Sequence, residues 1–230
     1  MVTSTNIIGN MAIMELIESS PHFSGLSADA LEKISRLMRE QKVDKAEIVW
    51  LEGEIGKVLY FVASGLIKLF KTSAEGREQI LNLVRPGEFF GESAVFNING
   101  SEVSAQAMVP SVLYGIEKSD LEALLRDHPE LTLNIIKVLT ERIDYYMSLV
   151  EDFSFKRVTG RLAKILLEYG KESATHTHPN LTQQEMAAFT GTVREVIARS
   201  LRTLEGRGII RLDRRRIIIT DMEALKEIAG

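Results

Sequence analysis

Between Leu181 and Leu212 the chain reads LTQQEMAAFTGTVREVIARSLRTLEGRGIIRL. Thr182 and Thr192 are each followed three places later by a glutamate, Glu185 and Glu195. That spacing writes a capping box, in which the hydroxyl accepts from the N3 amide while the glutamate carboxylate accepts from the N-cap amide. Two helices are therefore expected, Gln183–Phe189 and Val193–Leu204. The first is too short to be stable alone, and Gly191 supplies the positive φ that a tight turn before the second requires. Helix, glycine turn and second helix form a helix-turn-helix.

The phase of the second helix turns its sequence into a surface. Ile197, Leu201 and Leu204 recur at four and three residues and make the buried stripe, leaving Arg194, Glu195, Arg199 and Arg202 outside it. A helix fits the major groove of DNA, where arginine bonds bidentately to guanine and glutamate accepts from the cytosine amino group. Glu195 thus has two candidate roles, cap and base reader. Thr182, Thr192 and Val193, at the two helix starts, complete the candidate contacts. Past Gly206 and Gly208, IIRLDRRRIIIT reads as strands Ile209–Leu212 and Arg216–Thr220 joined by an arginine tip, which makes the motif a winged helix-turn-helix. Arg214, Arg215 and Arg216 are placed to lie along phosphates, adding salt-dependent, sequence-blind affinity.

Charge segregates in the same sense. Residues 1–154 carry 14 Lys and Arg against 23 Asp and Glu, whereas residues 155–230 carry 14 against 9. A basic domain on an acidic body suits a polyanionic partner at one end. The chain of 230 residues has 45% hydrophobic content and no cysteine. Disulfides, thiolate zinc, cysteine-ligated iron–sulfur clusters and thiol switches are excluded. The N-terminus lacks a basic secretory start, and no apolar run is long enough for a membrane span, so a cytoplasmic protein without membrane contact is expected.

Upstream, a helical block is expected from Ile13 to Arg39, interrupted at Pro21 and restarted at Ser27. Short β-rich runs follow, Ala46–Leu51, Val58–Ala63, Leu66–Thr72, Gln79–Val84, Ser104–Ala107 and Ser111–Glu117, punctuated by glycines. Regular short strands suggest a rolled antiparallel sheet. Lys118–Asp127 reads as a short helix, and Pro129 opens a long one. Along it Ile136, Leu139, Ile143, Tyr146, Val150 and Phe153 fall three and four apart, the spacing of a coiled-coil seam between two copies. The expected fold is α+β: a β-roll sensor domain (1–128), a dimerisation helix with a hinge around Asp152–Phe155 (129–154) and a winged helix-turn-helix domain (155–230). His176 and His178 sit in a polar loop without a carboxylate or cysteine at ligand spacing, so no metal site is assigned.

The motif PGEFFGESAVF (Pro86–Phe96) in the glycine-punctuated roll, the long helix, VTGRLAKILL (Val158–Leu167) and the winged helix-turn-helix resemble the cyclic-AMP receptor and fumarate–nitrate regulator superfamily (CRP/FNR) of bacterial transcription factors. The resemblance runs over nearly the whole chain. It implies a homodimer that binds double-stranded DNA at a palindrome, recruits RNA polymerase as an activator, and holds an effector in the roll beside the long helix. The pattern R-E-x-x-x-R, present as Arg194, Glu195 and Arg199, implies a TGTGA-like half-site; the branch that prefers TTGAT has serine where this chain has Ala198.

The effector pocket follows the family less closely. Gly91, Glu92 and Ser93 stand at the ribose-binding turn, and Ser104 matches a phosphate-contacting serine. The arginine expected before it is Val103, and Tyr146 and Met147 replace the Thr-Ser pair that meets adenine. A cyclic phosphodiester would lose its bidentate countercharge, which argues against cyclic AMP. Haem, used in other branches, needs an axial ligand; His22 and His128 are the candidates, each of a kind more often found as an ordinary surface histidine. The effector is thus left unknown, and a constitutive DNA binder remains an alternative. So does a small-molecule-binding regulatory protein whose C-terminal domain contacts protein. No nucleophile–base pair, Walker loop or dinucleotide fingerprint points to an enzyme.

Overall fold

The computed structural model describes residues 13–172, 181–213 and 216–230, with side chains outside 169–172. His176, His178, Arg214 and Arg215 lie outside the described residues. The chain divides into two compact units, one formed by residues up to Lys71 together with Asn82–Asp144, the other by Thr72–Leu81 with Tyr145–Gly230.

The first unit opens with helix α1 (13–19), a 3-10 turn at Pro21–Phe23 and α2 (Ala28–Leu37), whose N-cap Ser27 accepts from the Ala30 amide. The strands follow as β1 (Arg39–Val43), β2 (Ile48–Trp50), β3 (Val58–Ser64), β4 (Ile67–Thr72), β5 (Glu78–Val84) and β6 (Phe89–Phe90). After a short helix α3 (Glu92–Phe96) come β7 (Ser104–Ala107) and β8 (Ser111–Glu117). Two four-stranded sheets result, in the orders β1-β8-β3-β6 and β2-β7-β4-β5. Their inward residues, among them Val43, Trp50, Val62, Ile67, Leu69, Phe90 and Leu113, close into one apolar cluster. On the other side α1, α2, α4 (Lys118–Asp127) and the start of α5 (Pro129–Phe155) pack Ile17, Ile34, Leu121, Leu124 and Leu131 onto Leu59, Phe61, Phe89 and Ile116.

Two strands escaped the sequence. The first helical block ends at Leu37, and Arg39–Val43 is β1, paired antiparallel with β8 from Arg39↔Gly115 to Val43↔Ser111. Its polar residues show no apolar alternation, so the ladder to β8 decides its state. The two-residue β6 is similarly set by its partner, Tyr60↔Phe90 and Phe61↔Phe89 on β3.

Helix α5 leaves an apolar stripe without an intrachain partner among the described residues. Ile136, Ile143 and Val150 are exposed large hydrophobics, as are Leu133 and Met147, so the unpartnered stripe runs Leu133–Ile136–Ile143–Met147–Val150. Leu139 packs against its own core and Tyr146 is half-buried, whereas Phe153 stays 36% exposed with the Arg161 guanidinium 5.1 Å from its ring. This stripe and the expected seam share Ile136, Ile143 and Val150; of the other expected residues, Leu139 and Tyr146 are partly drawn into intrachain packing and Phe153 is exposed. The segment expected as a hinge, Asp152–Phe155, is the last turn of α5, which is helical through Phe155. Asp152, 5% exposed, is held by Lys164 at 2.5 Å and Lys156 at 3.1 Å. Burial alone would raise its carboxyl, but the hydrogen bonds and charges of the two lysines outweigh that and hold it below the usual range.

The second unit continues with α6 (Val158–Glu172), α7 (Gln183–Thr190), α8 (Arg194–Gly206), the hairpin β9 (Ile210–Asp213) and β10 (Arg216–Ile219), and α9 (Met222–Ala229). Its core joins Leu162, Ala163 and Leu166 of α6 to Met186 of α7, Ile197, Leu201 and Leu204 of α8, and Leu225 of α9. Gly160 is required where α6 meets α9, since a Cβ there would come 3.0 Å from the Ile228 carbonyl oxygen.

His22 is not a surface residue. It is 4% exposed, 4.7 Å from the Phe89 ring, and its Nε2 has no hydrogen-bond partner. Burial, aided by the charge of Arg142, lowers its pKa to about 4. The folded state therefore takes up this proton later than the unfolded chain, so stability is complete above the unfolded pKa of 6.5 and is lost as pH falls toward 4. Urea unfolding is expected to lose up to about 3 kcal/mol across that window. In His22→Leu the same comparison within the variant should lose much less.

Candidate nucleic-acid interface and sensor site

The turn between α7 and α8 sets the geometry of the interface. Thr182 caps α7 as expected: its hydroxyl accepts from the Glu185 amide at 3.1 Å and the Glu185 carboxylate accepts from the Thr182 amide at 2.6 Å. Gly191 ends α7 with φ 66, and the Gly191 and Thr192 amides both return to the Ala187 carbonyl. A Cβ on Gly191 would meet the Phe153 ring at 2.9 Å, so both backbone conformation and space demand glycine.

The second capping box does not form. Val193, extended at φ −110 and ψ 156, is the N-cap of α8, without a side-chain cap bond. Thr192 is held one residue outside the helix because its amide is tied back to α7. Glu195 is then at the second helical position, where its carboxylate favours the helix start electrostatically without closing a box. This leaves it unspent.

With Ile197, Leu201 and Leu204 buried, Val193, Arg194, Glu195, Arg199 and Arg202 are exposed. None of the four charged side chains has a partner among the described residues. Arg194, Glu195 and Arg202 line one groove of about 430 Å³ with Gln183, Ala198 and Leu212, which sets the first strand of the wing beside α8. Arg199 stands outside that lining on the same helix. Unpaired guanidiniums with one carboxylate on an exposed helix are able to read base edges and bind phosphates. The Glu205 carboxylate, missed in sequence, accepts from the Leu212 amide at 2.9 Å and anchors the wing to α8.

In the first unit the residues expected at the sensor site make contacts within the roll. Trp50 stacks on Phe90 at 5.1 Å and on Tyr60 at 5.9 Å. Its indole N–H donates to the Val103 carbonyl at 2.9 Å, and Val103 itself packs against the sheet core. Gly91, at φ 104, has the Trp50 ring 3.4 Å from where its Cβ would stand. The Ser104 hydroxyl accepts from the Glu52 amide at 3.0 Å, and Ser93 is exposed. Glu92, buried, accepts from Arg142 Nη1 at 2.9 Å, while Arg142 Nη2 donates to the Phe89 carbonyl at 3.1 Å. The second oxygen of Glu92, Oε1, is buried without a partner among the described residues. Arg142 and Trp50 were not singled out in the sequence; a lone tryptophan in a β-run gives no sign of what it stacks on. Tyr146 and Met147 belong to the other compact unit, Met147 being 64% exposed.

His22 does not suit haem. His22 opens onto an apolar cavity of only about 10 Å³ lined by Phe23, Leu59 and Phe89, room for at most a water and not for a macrocycle. His128 faces Glu130 at 3.5 Å.

The difference between the two threonines is measurable. Thr182→Ala should cost about 1 kcal/mol of stability in the second unit by urea unfolding. Thr192→Ala, whose hydroxyl caps nothing, should cost well under half of that.

Comparison with known proteins agrees with this geometry. The family model for the cyclic nucleotide-binding domain matches residues 40–128, and that for the Crp-like helix-turn-helix domain matches residues 160–228. The chain is 28% identical over 218 residues to a CRP-like cAMP-activated global transcriptional regulator of Mycobacterium tuberculosis, covering 92% of this chain and 97% of that one. It is 29% identical over 213 residues to the cyclic AMP receptor protein of Thermus thermophilus, covering 93% and 98%. The fold is shared with the c-di-GMP responsive global regulator CLP of Xanthomonas campestris, at a TM-score of 0.75 and 24% identity over 84% of this chain and 99% of that one. No helix among the described residues is long and apolar enough to cross a membrane. With a cyclic nucleotide-binding-like roll, a long helix and a Crp-like helix-turn-helix in that order, the chain belongs to the CRP/FNR family and is a DNA-binding transcription regulator.

Proposed function

We propose that the chain acts in the cytoplasm as a homodimer whose two α8 helices read a palindromic, TGTGA-like operator, with Arg194, Glu195 and Arg199 as the base readers. The observation that carries this reading is that all three side chains are exposed at the N-terminal half of α8, without partners among the described residues. Arg202, Thr192 and the wing arginines Arg214 and Arg215 take phosphates. The dimer forms along Leu133, Ile136, Ile143, Met147 and Val150 of α5, an apolar stripe that a single chain leaves in water. Activation through RNA polymerase rests on the family resemblance alone.

The effector is a different molecule from cyclic AMP. Two relatives are named for cyclic AMP and a third for c-di-GMP, so the fold alone does not select the ligand. Here position 103 offers no charge, the Ser104 hydroxyl is committed to a backbone amide, and Trp50 stacks across Phe90 beside Gly91.

Two experiments test these readings. Arg199→Ala should weaken operator binding by about tenfold or more, corresponding to 1–3 kcal/mol for a lost bidentate base contact; unchanged affinity would sink the reading. Trp50 is the chain's only tryptophan, so its fluorescence reports on the roll directly. Cyclic AMP at millimolar concentration should leave both this fluorescence and operator affinity unchanged, and a saturable response would reverse the assignment.

A further inference from the structure

A second basic groove lies on the second unit, away from the bases that α8 reads. About 390 Å³ in volume, it is walled by the start of α6, the end of α8 and the end of α9, and its lining includes Arg157, Thr203 and Arg207. Lys156 also lines it, but its ammonium is consumed by Asp152 at 3.1 Å and by the Ala229 carbonyl at 2.6 Å, so that residue holds the wall together. Arg157 and Arg207 differ in kind. Both are exposed, and neither guanidinium has a partner among the described residues.

The position of the groove follows from helical phase. Arg199, Thr203 and Arg207 stand at i, i+4 and i+8 of α8 and its C-cap, one above the other on a single face. Eight residues of helix advance about 12 Å, several phosphates along a DNA strand. Thr203 turns its hydroxyl back onto the Arg199 carbonyl at 3.0 Å, leaving the row's charge at its two ends. Arg157, immediately before α6, brings a second guanidinium to the same groove from a different element. Two free guanidiniums converging on one groove, in the net-positive part of the chain, fit an anion that can be held from two sides.

The geometry points to this groove as a clamp for backbone phosphates flanking the operator half-site, with Arg157 and Arg207 as its two cationic jaws. It rests on the reading of α8 as the base-reading helix and adds sequence-blind affinity that depends on the length of the DNA. An acidic protein surface is the competing occupant. It is disfavoured because the row that ends in Arg207 begins in a base-reading residue, so DNA seated on α8 reaches the groove first.

The test uses the full chain and two operator duplexes, one ending at the palindrome and one extended by about ten base pairs, one helical turn, on each side. For Arg157→Gln/Arg207→Gln, affinity for the long duplex should fall several-fold, and the slope of log affinity against log salt should lessen by about 1 to 2, at roughly 0.9 per phosphate contact. Base preference and affinity for the short duplex should stay as in the wild type, and Arg157→Lys/Arg207→Lys should restore most of the loss. An unchanged long-duplex affinity overturns the proposal, and so does an equal loss on both duplexes. Normal DNA binding with lost transcription by purified polymerase also overturns it and assigns the groove to a protein partner. Failure of the reading itself is separable: Arg199→Ala would then leave short-duplex binding intact, whatever the length dependence.

Discussion

Burial of one stripe of α8 is the constraint on which the DNA-binding unit depends. Ile197, Leu201 and Leu204 enter a core made by α6, α7 and α9, each contributing on the order of 1.5–3 kcal/mol. Rotating the helix by a single residue, about 100°, would withdraw them. The rotational phase of α8 is thereby fixed, and with it the outward direction of Arg194, Glu195, Arg199 and Arg202. Gly191 does the complementary work: its left-handed backbone, hemmed in by Phe153, sets where α7 stops and therefore where α8 begins. Binding chemistry in this unit is thus a by-product of packing, since polar groups that no neighbour claims are left on the one face that can enter a groove.

The sensor unit applies the opposite logic. In the β-roll the polar groups nearest the family's ligand position are claimed internally: Glu92 by Arg142, the Ser104 hydroxyl by the Glu52 amide, and the Val103 carbonyl by Trp50. Trp50, Phe90 and Tyr60 stack on one another in the same roll. The orphaned Glu92 Oε1 is the exception, a buried acceptor left without a donor. Such a group is costly to leave unmade, which makes it the place in the roll where a ligand donor would gain most.

The sequence discloses the DNA-binding end well because local rules govern it. The capping box at Thr182, the glycine turn and the 3–4 spacing of the α8 stripe each act over a few residues, and all three survive in the structure. It misleads where a local rule competes with a distant partner. Thr192 and Glu195 have the spacing of a box, yet the Thr192 amide is already bound to Ala187, so α8 starts later. On α5 two stripes satisfy heptad spacing equally well, and the packing of Leu139 onto the roll's helices turns that residue inward while Leu133 and Met147 stay exposed. β1 and the buried His22 were illegible for the same reason, each being defined by a residue more than sixty positions away in sequence, and the Trp50 stack needs Phe90, forty positions on.

The central claim, that α8 presents Glu195 as a free base reader because packing and not capping fixes the helix start, is tested most directly by a cycle between Glu195 and the operator. Affinity would be measured for the wild type and Glu195→Ala on the operator and on duplexes with each base pair of one half-site replaced in turn. The account predicts that Glu195→Ala abolishes discrimination at a single base pair, of about 1–3 kcal/mol in the wild type, and leaves discrimination elsewhere intact with unchanged thermal stability. Equal discrimination at every position in both proteins, or a loss of stability as large as that from removing the Thr182 cap, would contradict it.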